Sequence, residues 1–181
     1  MAPDDRACGA CGFRPDTVTP GDAIVALRSF PRRWRELLLG VEAAEVGDDL
    51  VRQRLPGMWS ALDHGIHVSQ GLAVQADSLQ RVRDLDSPSL GPIETRPVGA
   101  DHVVGVHDVL AELARNAERL ATAAESMAGQ DWLRRGERAG HQVTSLDLLR
   151  QGVHEGVHHL HEAARLLRRL GGRWPGDEGA P

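Results

Sequence analysis

The strongest constraint on the fold is a run of apolar residues at helical spacing near the C-terminus. Between residues 145 and 170, apolar side chains recur at alternating steps of three and four positions, which is the period of one helix face. Similar segments lie at about 20–46, 60–83 and 107–128, and no convincing strand pattern occurs. The four segments predict an all-α fold, a four-helix bundle. The stripe of the last segment is formed by Leu146, Leu149, Val153, Val157, Leu160, Ala164 and Leu167.

Local signals mark the ends of the second and fourth helices. An S-x-x-D capping box opens at Ser60, where the hydroxyl and the carboxylate can each accept a hydrogen bond from the other residue's backbone amide. Thr144 or Ser145 can cap the fourth helix. We expect that helix to end at Gly171-Gly172, because glycine readily adopts the left-handed conformation of a helix C-cap.

The breaks between helices suggest the topology. Pro31 should kink or split the first helix, because proline removes a backbone donor and clashes with the preceding turn.

The connection at about 84–105 is long for a tight hairpin, and a crossover that lays the second and third helices parallel would explain it. The expected divisions are an arm containing both cysteines (1–19), the bundle (20–171) and a disordered tail (172–181).

Two glycines lie inside the fourth helix. Gly152 and Gly156 each cost about 1 kcal/mol relative to alanine in a helix interior. Because they are four residues apart, they occupy one side of the helix. We expect them to permit the close approach of a neighbouring helix.

Composition argues against several classes of function. The net charge is −5, whereas a protein that binds nucleic acid electrostatically usually carries a basic patch. No segment approaches the ~20 apolar residues of a membrane span, and the N-terminus lacks an apolar run of signal-peptide length. We therefore expect a cytoplasmic protein that binds neither nucleic acid nor membrane. A homodimer would be compatible with such a bundle.

The fourth helix contains the letters H-E-x-x-H. As a zinc-protease motif, this would make Glu155 the general base beside two metal ligands, His154 and His158. That interpretation fails because no suitable third ligand follows: the later acids are Glu162 on the same helix and two in the tail. Without a third ligand, a solvated polar helix face explains the histidines equally well.

A third ligand could come from the second helix, which carries His64 and His67 in the block WSALDHGIHV. With the later HEGVHHL block, this arrangement resembles the DinB/YfiT-like superfamily over about residues 20–170. That superfamily includes the N-terminal domains of mycothiol-dependent maleylpyruvate isomerases and several thiol transferases. The opening CGACGF further resembles an actinobacterial branch. The resemblance implies a metal held by His67, His154 and His158.

Three imidazoles would leave positions open on the metal, as catalytic sites do. Zinc is the expected metal, although nickel or iron would also accept such ligands. Glu155 could orient an imidazole from outside the coordination sphere, or form a salt bridge with an arginine. His64 could orient a ligand too, but exposure to solvent is the simpler expectation. We expect His159 to cap or pack rather than to bind metal.

Cys8 and Cys11 form a single C-x-x-C, which is half of a tetrahedral zinc site. In a reducing compartment such a pair more often binds metal or undergoes redox chemistry than forms a structural disulfide. Three interpretations stay open. The pair could be redox-active, it could lie on an arm that reaches the histidine site, or a histidine or a second subunit could complete its own site.

The resemblance also implies a chemistry, because a divalent metal can bind a small thiol as thiolate and present it as a nucleophile. The first hypothesis is a metal-dependent thiol S-transferase or isomerase that acts on a small electrophile, with mycothiol as the thiol. The alternative is a non-catalytic metal-binding or redox-sensing stress protein that uses the C-x-x-C. A metal-dependent hydrolase is the weaker enzyme hypothesis.

Overall fold

Four long helices dominate the computed structural model, which describes residues 7–41, 49–93 and 104–174. They confirm the predicted four-helix bundle. Short 3-10 helices at Pro15–Thr17, Leu50–Arg52 and Gly129–Leu133 and one β-hairpin accompany them in the described part of the chain. The elements are α1 (Pro20–Leu39), α2 (Ala61–Asp84), α3 (Val106–Glu125), β1 (Arg135–Arg138), β2 (His141–Thr144) and α4 (Ser145–Arg169).

The order of helices around the bundle does not follow the sequence. Both α1 and α2 pack along α3 and α4, while α1 and α2 contact each other little. Consecutive helices α1 and α2 are therefore diagonal. Gly65, near the start of α2, lies against Val109, near the start of α3, and Asp77 pairs with Arg119 further along both helices. These contacts make α2 and α3 parallel, as the long connection predicts.

Side-chain caps lie at the starts of α2 and α4, as the sequence predicts. Ser60 and Asp63 form the complete capping box of α2, and Thr144 caps α4. Asp63 also accepts two hydrogen bonds from the Arg54 guanidinium, at 2.7 and 2.9 Å. Although burial of Asp63 opposes its charge, the bonds from Arg54 and Ser60 lower the pKa of this carboxyl. The start of α2 is thereby fixed by an ionised side chain that Arg54, in the loop before the helix, supports.

The first helix is shorter than predicted. Of the two effects predicted for Pro31, a kink or a split, the split does not occur, because the helix continues through Pro31 with its inner face buried. It ends at Leu39, with Gly40 as its C-cap, rather than near residue 46. The last predicted residues, 42–46, lie outside the described part of the chain.

The expectation that the chain contains no strand is wrong. β1 and β2 form an antiparallel hairpin whose turn, Ala139-Gly140, has positive φ at both residues (50° and 77°). Arg138 holds the hairpin against the bundle, donating to Ser78 at 2.6 Å and to Gln75 at 3.1 Å. The strand sequence RGER lacks the alternation of apolar and polar residues that predicts a strand. The hairpin depends instead on its turn and on the buried Arg138.

The chain stays on the bundle after α4. Gly171 adopts positive φ (85°) as expected for a helix end, and Gly172 is buried against Val41 and Leu50. Trp174 packs against the core under the Arg168 guanidinium. The rest of the predicted tail, 175–181, lies outside the described residues. No helix in the described ranges is long and apolar enough to cross a membrane.

The two glycines of α4 are contact points, as predicted. A β-carbon at Gly152 would lie 2.7 Å from Leu120 Cδ2 of α3, and one at Gly156 would overlap the Phe30 ring of α1. Phe30 is fully buried and cannot move aside into solvent. The core therefore requires glycine on this face of α4.

Alanine at this contact should be unfavourable despite its higher helix propensity. For Gly156→Ala we expect the free energy of unfolding to fall by about 1–3 kcal/mol, because the methyl group overpacks the core. Gly71→Ala, inside α2, is the matched control, since nothing lies within 4 Å of its added carbon. It should leave stability unchanged or raise it by up to about 1 kcal/mol. Urea unfolding at equal metal content measures both, and equal effects of the two substitutions would contradict the packing assignment.

Candidate metal centre

The candidate centre lies between α2 and α4, which run antiparallel. Gln75 of α2 lies beside the position of Gly152, and His64, nearer the start of α2, contacts His159 further along α4. The first turns of α2 therefore face the middle of α4. His64 and His67 of α2 are buried, and the polar side chains of α4 opposite them are partly exposed.

Three side chains converge at this point: His67 from α2, and Glu155 and His159 from α4. Glu155 Oε2 is 3.5 Å from His67 Nε2 and 3.2 Å from His159 Nε2. The donor atoms of all three lie within 4.8 Å of one another. Tetrahedral ligands about 2.1 Å from a zinc ion are separated by about 3.4 Å. The donor set and its spacing thus fit a divalent metal.

Glu155 is the anionic member of the group. Its burial opposes ionisation, but hydrogen bonds from His159 and His67 outweigh that cost and hold the pKa of the carboxyl well below its usual range. The carboxylate is therefore charged at neutral pH. It offers a divalent cation one negative charge between two imidazoles.

His64 supports the centre from the side. Its Nδ1 lies 2.9 Å from Nδ1 of His159, so one ring donates and the other accepts, and Nε2 of His159 is left directed at Glu155. Burial, followed by the nearby His159, lowers the pKa of His64 to about 4, which keeps the ring neutral. The expected exposure of His64 is wrong, because Trp59 and His159 cover it.

Trp59 forms one wall of the centre. Its ring centroid lies 5.0 Å from that of His67, 5.4 Å from that of His64 and 5.8 Å from that of His159. The indole precedes α2 directly and is itself only partly exposed. It thus gives an apolar surface to a ligand that approaches the three donors.

The structure divides the predicted set of His67, His154 and His158. His67 joins Glu155 and His159, whereas His154 and His158 lie on the neighbouring face of α4. The pair His154/His158 and the pair Glu155/His159 both have the i, i+4 spacing that lets two side chains bind one metal. The two pairs are about 100° apart around the helix axis. The sequence therefore contains the pair Glu155 and His159 as an E-x-x-x-H pattern. The H-x-x-x-H pattern of His154 and His158 is the more usual metal-binding pattern, and the prediction followed it.

Cys8 and Cys11 accompany the second histidine pair. Their sulfurs and ring nitrogens of His154 and His158 form a separate group of metal-binding atoms within 4.8 Å of one another. Backbone hydrogen bonds from Cys11 and Ala10, together with His158, lower the pKa of the Cys8 thiol to about 7. Burial raises the pKa of the Cys11 thiol. The N-terminal arm thus reaches histidines of this same chain.

Comparison with known proteins places the fold in a family. A family model described as the DinB superfamily matches residues 26–163, which include the three donors of the candidate centre but neither cysteine. YfiT from Bacillus subtilis, described as a probable metal-dependent hydrolase with an unusual four-helix bundle topology, has a similar structure. The TM-score is 0.74 at 14% identity, over 86% of this chain and 91% of that chain. No curated protein matches the sequence. Since the family model covers most of the chain, including α2, α3 and the metal-binding part of α4, the protein belongs to the DinB superfamily.

Proposed function

We propose that the protein is a divalent-metal-dependent enzyme that activates a small thiol. His67, Glu155 and His159 would hold the metal, with zinc the expected ion and nickel or iron as other candidates. The observation that carries the proposal is the convergence of these three donors beside Trp59. Three protein ligands leave at least one position open, which is the arrangement of catalytic rather than structural sites.

The charge of the ligand set favours a thiolate. Two neutral imidazoles and one carboxylate leave a divalent ion with one positive charge, which a thiolate sulfur would neutralise. A divalent metal in this place lowers the pKa of a bound thiol, so that the nucleophile forms near neutral pH. Among the side chains around the donors, His64 is a weak base because of its low pKa, Trp59 has no basic group, and His158 belongs to the neighbouring group with the cysteines. A thiol bound to a metal can lose its proton without a side-chain base, so this set of residues suits thiol chemistry.

The side chains around the donors have distinct tasks in this proposal. Glu155 and the two histidines bind and orient the metal, His64 fixes the ring of His159, and Trp59 shields the sulfur from water. The thiolate sulfur would form a bond to an electrophilic carbon while the leaving group departs with its electron pair. In an isomerase the same C–S bond would form and later break. Mycothiol is the thiol that the family resemblance suggests.

Hydrolysis is the second candidate function. Two histidines and one glutamate are also the ligands of zinc peptidases that activate water. YfiT, whose fold this chain shares, is described as a probable metal-dependent hydrolase. The two candidates differ in one requirement, since hydrolysis proceeds with water and without a thiol. The thiol reactions need a thiol, which a transfer consumes once for each electrophile and an isomerisation regenerates.

The first prediction concerns metal binding at the three donors. In a Cys8→Ser/Cys11→Ser background, we expect His67→Ala to lose the bound metal, because only two donors remain. His161→Ala is the control: it is an exposed histidine of the same helix and should leave the metal content unchanged. Metal analysis by mass spectrometry after gel filtration measures both. Retention of metal in the His67 variant would contradict the proposed centre.

The second prediction concerns His64. We expect His64→Phe to weaken metal binding by about 10–100-fold, because the ring that orients His159 loses its hydrogen bond. Titration with a competing chelator gives the affinity, and circular dichroism checks that the helices are intact. An unchanged affinity in a folded variant would show that the contact between His64 and His159 does not support the ligand.

The third prediction concerns turnover. The metal-loaded protein should consume a small thiol together with an alkylating electrophile, and Glu155→Gln should reduce the rate by about tenfold or more. Thiol loss and product are followed together, with apoprotein as the blank. Ester cleavage that proceeds without thiol would favour the hydrolase candidate. Metal binding without either reaction would favour the non-catalytic alternative.

A further inference from the structure

A second group of metal-binding side chains lies outside the candidate centre, on the next face of α4. It consists of Cys8 and Cys11 from the arm and His154 and His158 from the helix. The two cysteines precede the region that matches the DinB superfamily model. We propose that these four residues form a structural zinc site that fastens the N-terminal arm to α4.

The distances fit tetrahedral zinc. Cys8 Sγ lies 3.6 Å from His158 Nδ1. With Zn–S near 2.3 Å and Zn–N near 2.05 Å, a tetrahedral angle separates sulfur and nitrogen by about 3.6 Å. On His154, the buried Nε2 has no hydrogen-bond partner among the described residues. The arm and the helix thus present four donors at coordination spacing.

The arm has the conformation of a metal-binding turn. The Cys8 amide donates to the Phe13 carbonyl at 2.8 Å, and the Gly12 amide donates to the Cys8 carbonyl at 2.7 Å. Gly12 has φ of +72°, which a glycine adopts without strain and which closes the turn. The C-x-x-C-G sequence is therefore folded so that both thiols face the same side.

Contacts outside the four donors hold the arm in position. The Phe13 ring stacks on the His154 ring, with centroids 5.0 Å apart and planes at 10°. The Arg165 guanidinium donates to the Ala10 carbonyl at 3.2 Å. These contacts place the arm against α4 at the histidine pair and at Arg165, one to two turns further along the helix.

The donor set identifies the kind of site. Two cysteines and two histidines fill the four positions of a structural zinc ion and leave none for a substrate. The candidate centre, with three ligands, differs in this respect. A redox-active pair would instead join Cys8 and Cys11 in a disulfide, which would remove both sulfurs as ligands and leave the histidine pair without its partners.

A zinc ion at the cysteine–histidine site would lie next to the candidate metal centre. His154 precedes Glu155, and His158 precedes His159, so a zinc ion on one pair restrains the helix turn that carries the other pair. The two groups are therefore adjacent on one helix, whereas the proposal of the zinc site rests only on its own four residues.

Zinc counting on the full-length protein, purified anaerobically and reconstituted, tests the site. We expect about two zinc ions per chain in the wild type and about one in Cys8→Ser/Cys11→Ser. His67→Ala removes the other ion, so failure of the candidate centre and failure of this site give different results. Equal zinc content in the wild type and the cysteine variant would overturn the proposal.

Two further measurements test whether zinc loss in the Cys8→Ser/Cys11→Ser variant results from misfolding rather than from loss of the ligands. Cobalt(II) in the wild-type protein should give thiolate charge-transfer absorption, which the candidate centre cannot produce because it contains no sulfur. His158→Cys should retain the ion while His158→Ala loses it, because Nδ1 lies near Cβ and a cysteine sulfur reaches almost the same place. Absence of the thiolate bands, or loss of the ion in both variants, would contradict the site.

Discussion

The contact of two α4 glycines with Leu120 and Phe30 determines how the rest of the molecule is arranged. Side chains at these positions would collide with α3 and α1, so α4 can face the core with only one side. That rotation directs Glu155 and His159 toward α2. It leaves His154 and His158 at the surface that the N-terminal arm covers. The positions of both groups of candidate metal ligands therefore depend on a packing constraint that involves no ligand.

The same contact explains why sequence predicted the helices better than the site. Helical period, the S-x-x-D box and the terminal glycines identified α2 and α4 to within a few residues. The apolar stripe that the sequence predicts as the inner face of α4, however, does not include Gly152 and Gly156. The buried face of α4 also includes Ser145, Leu148, Ala163 and Leu166. At about 100° per residue, the centre of this face lies roughly 70° from the centre of the predicted stripe. This shift exchanges His154 and His158 for Glu155 and His159 as the residues that face α2.

Tertiary contacts account for the other differences. His64 has no sequence signal of burial, since its cover comes from Trp59 and from a histidine 95 residues away. The β-hairpin has charged strands and depends on Arg138, which donates to Ser78 and Gln75 on α2. Partners at such separations in the sequence cannot be read from local periodicity, which reports only the neighbours of a residue on its own helix.

The contact between the arm and α4 joins residues that are 150 positions apart. A zinc ion held there would close nearly the whole chain into one loop. For a covalent link, closing a loop of that length lowers the entropy of the unfolded chain by the equivalent of about 5 kcal/mol at room temperature. The order of synthesis matters as well, because the cysteines leave the ribosome well before their histidine partners. Until α4 is made, both thiols would lack these ligands, so the fold could not protect them from oxidation.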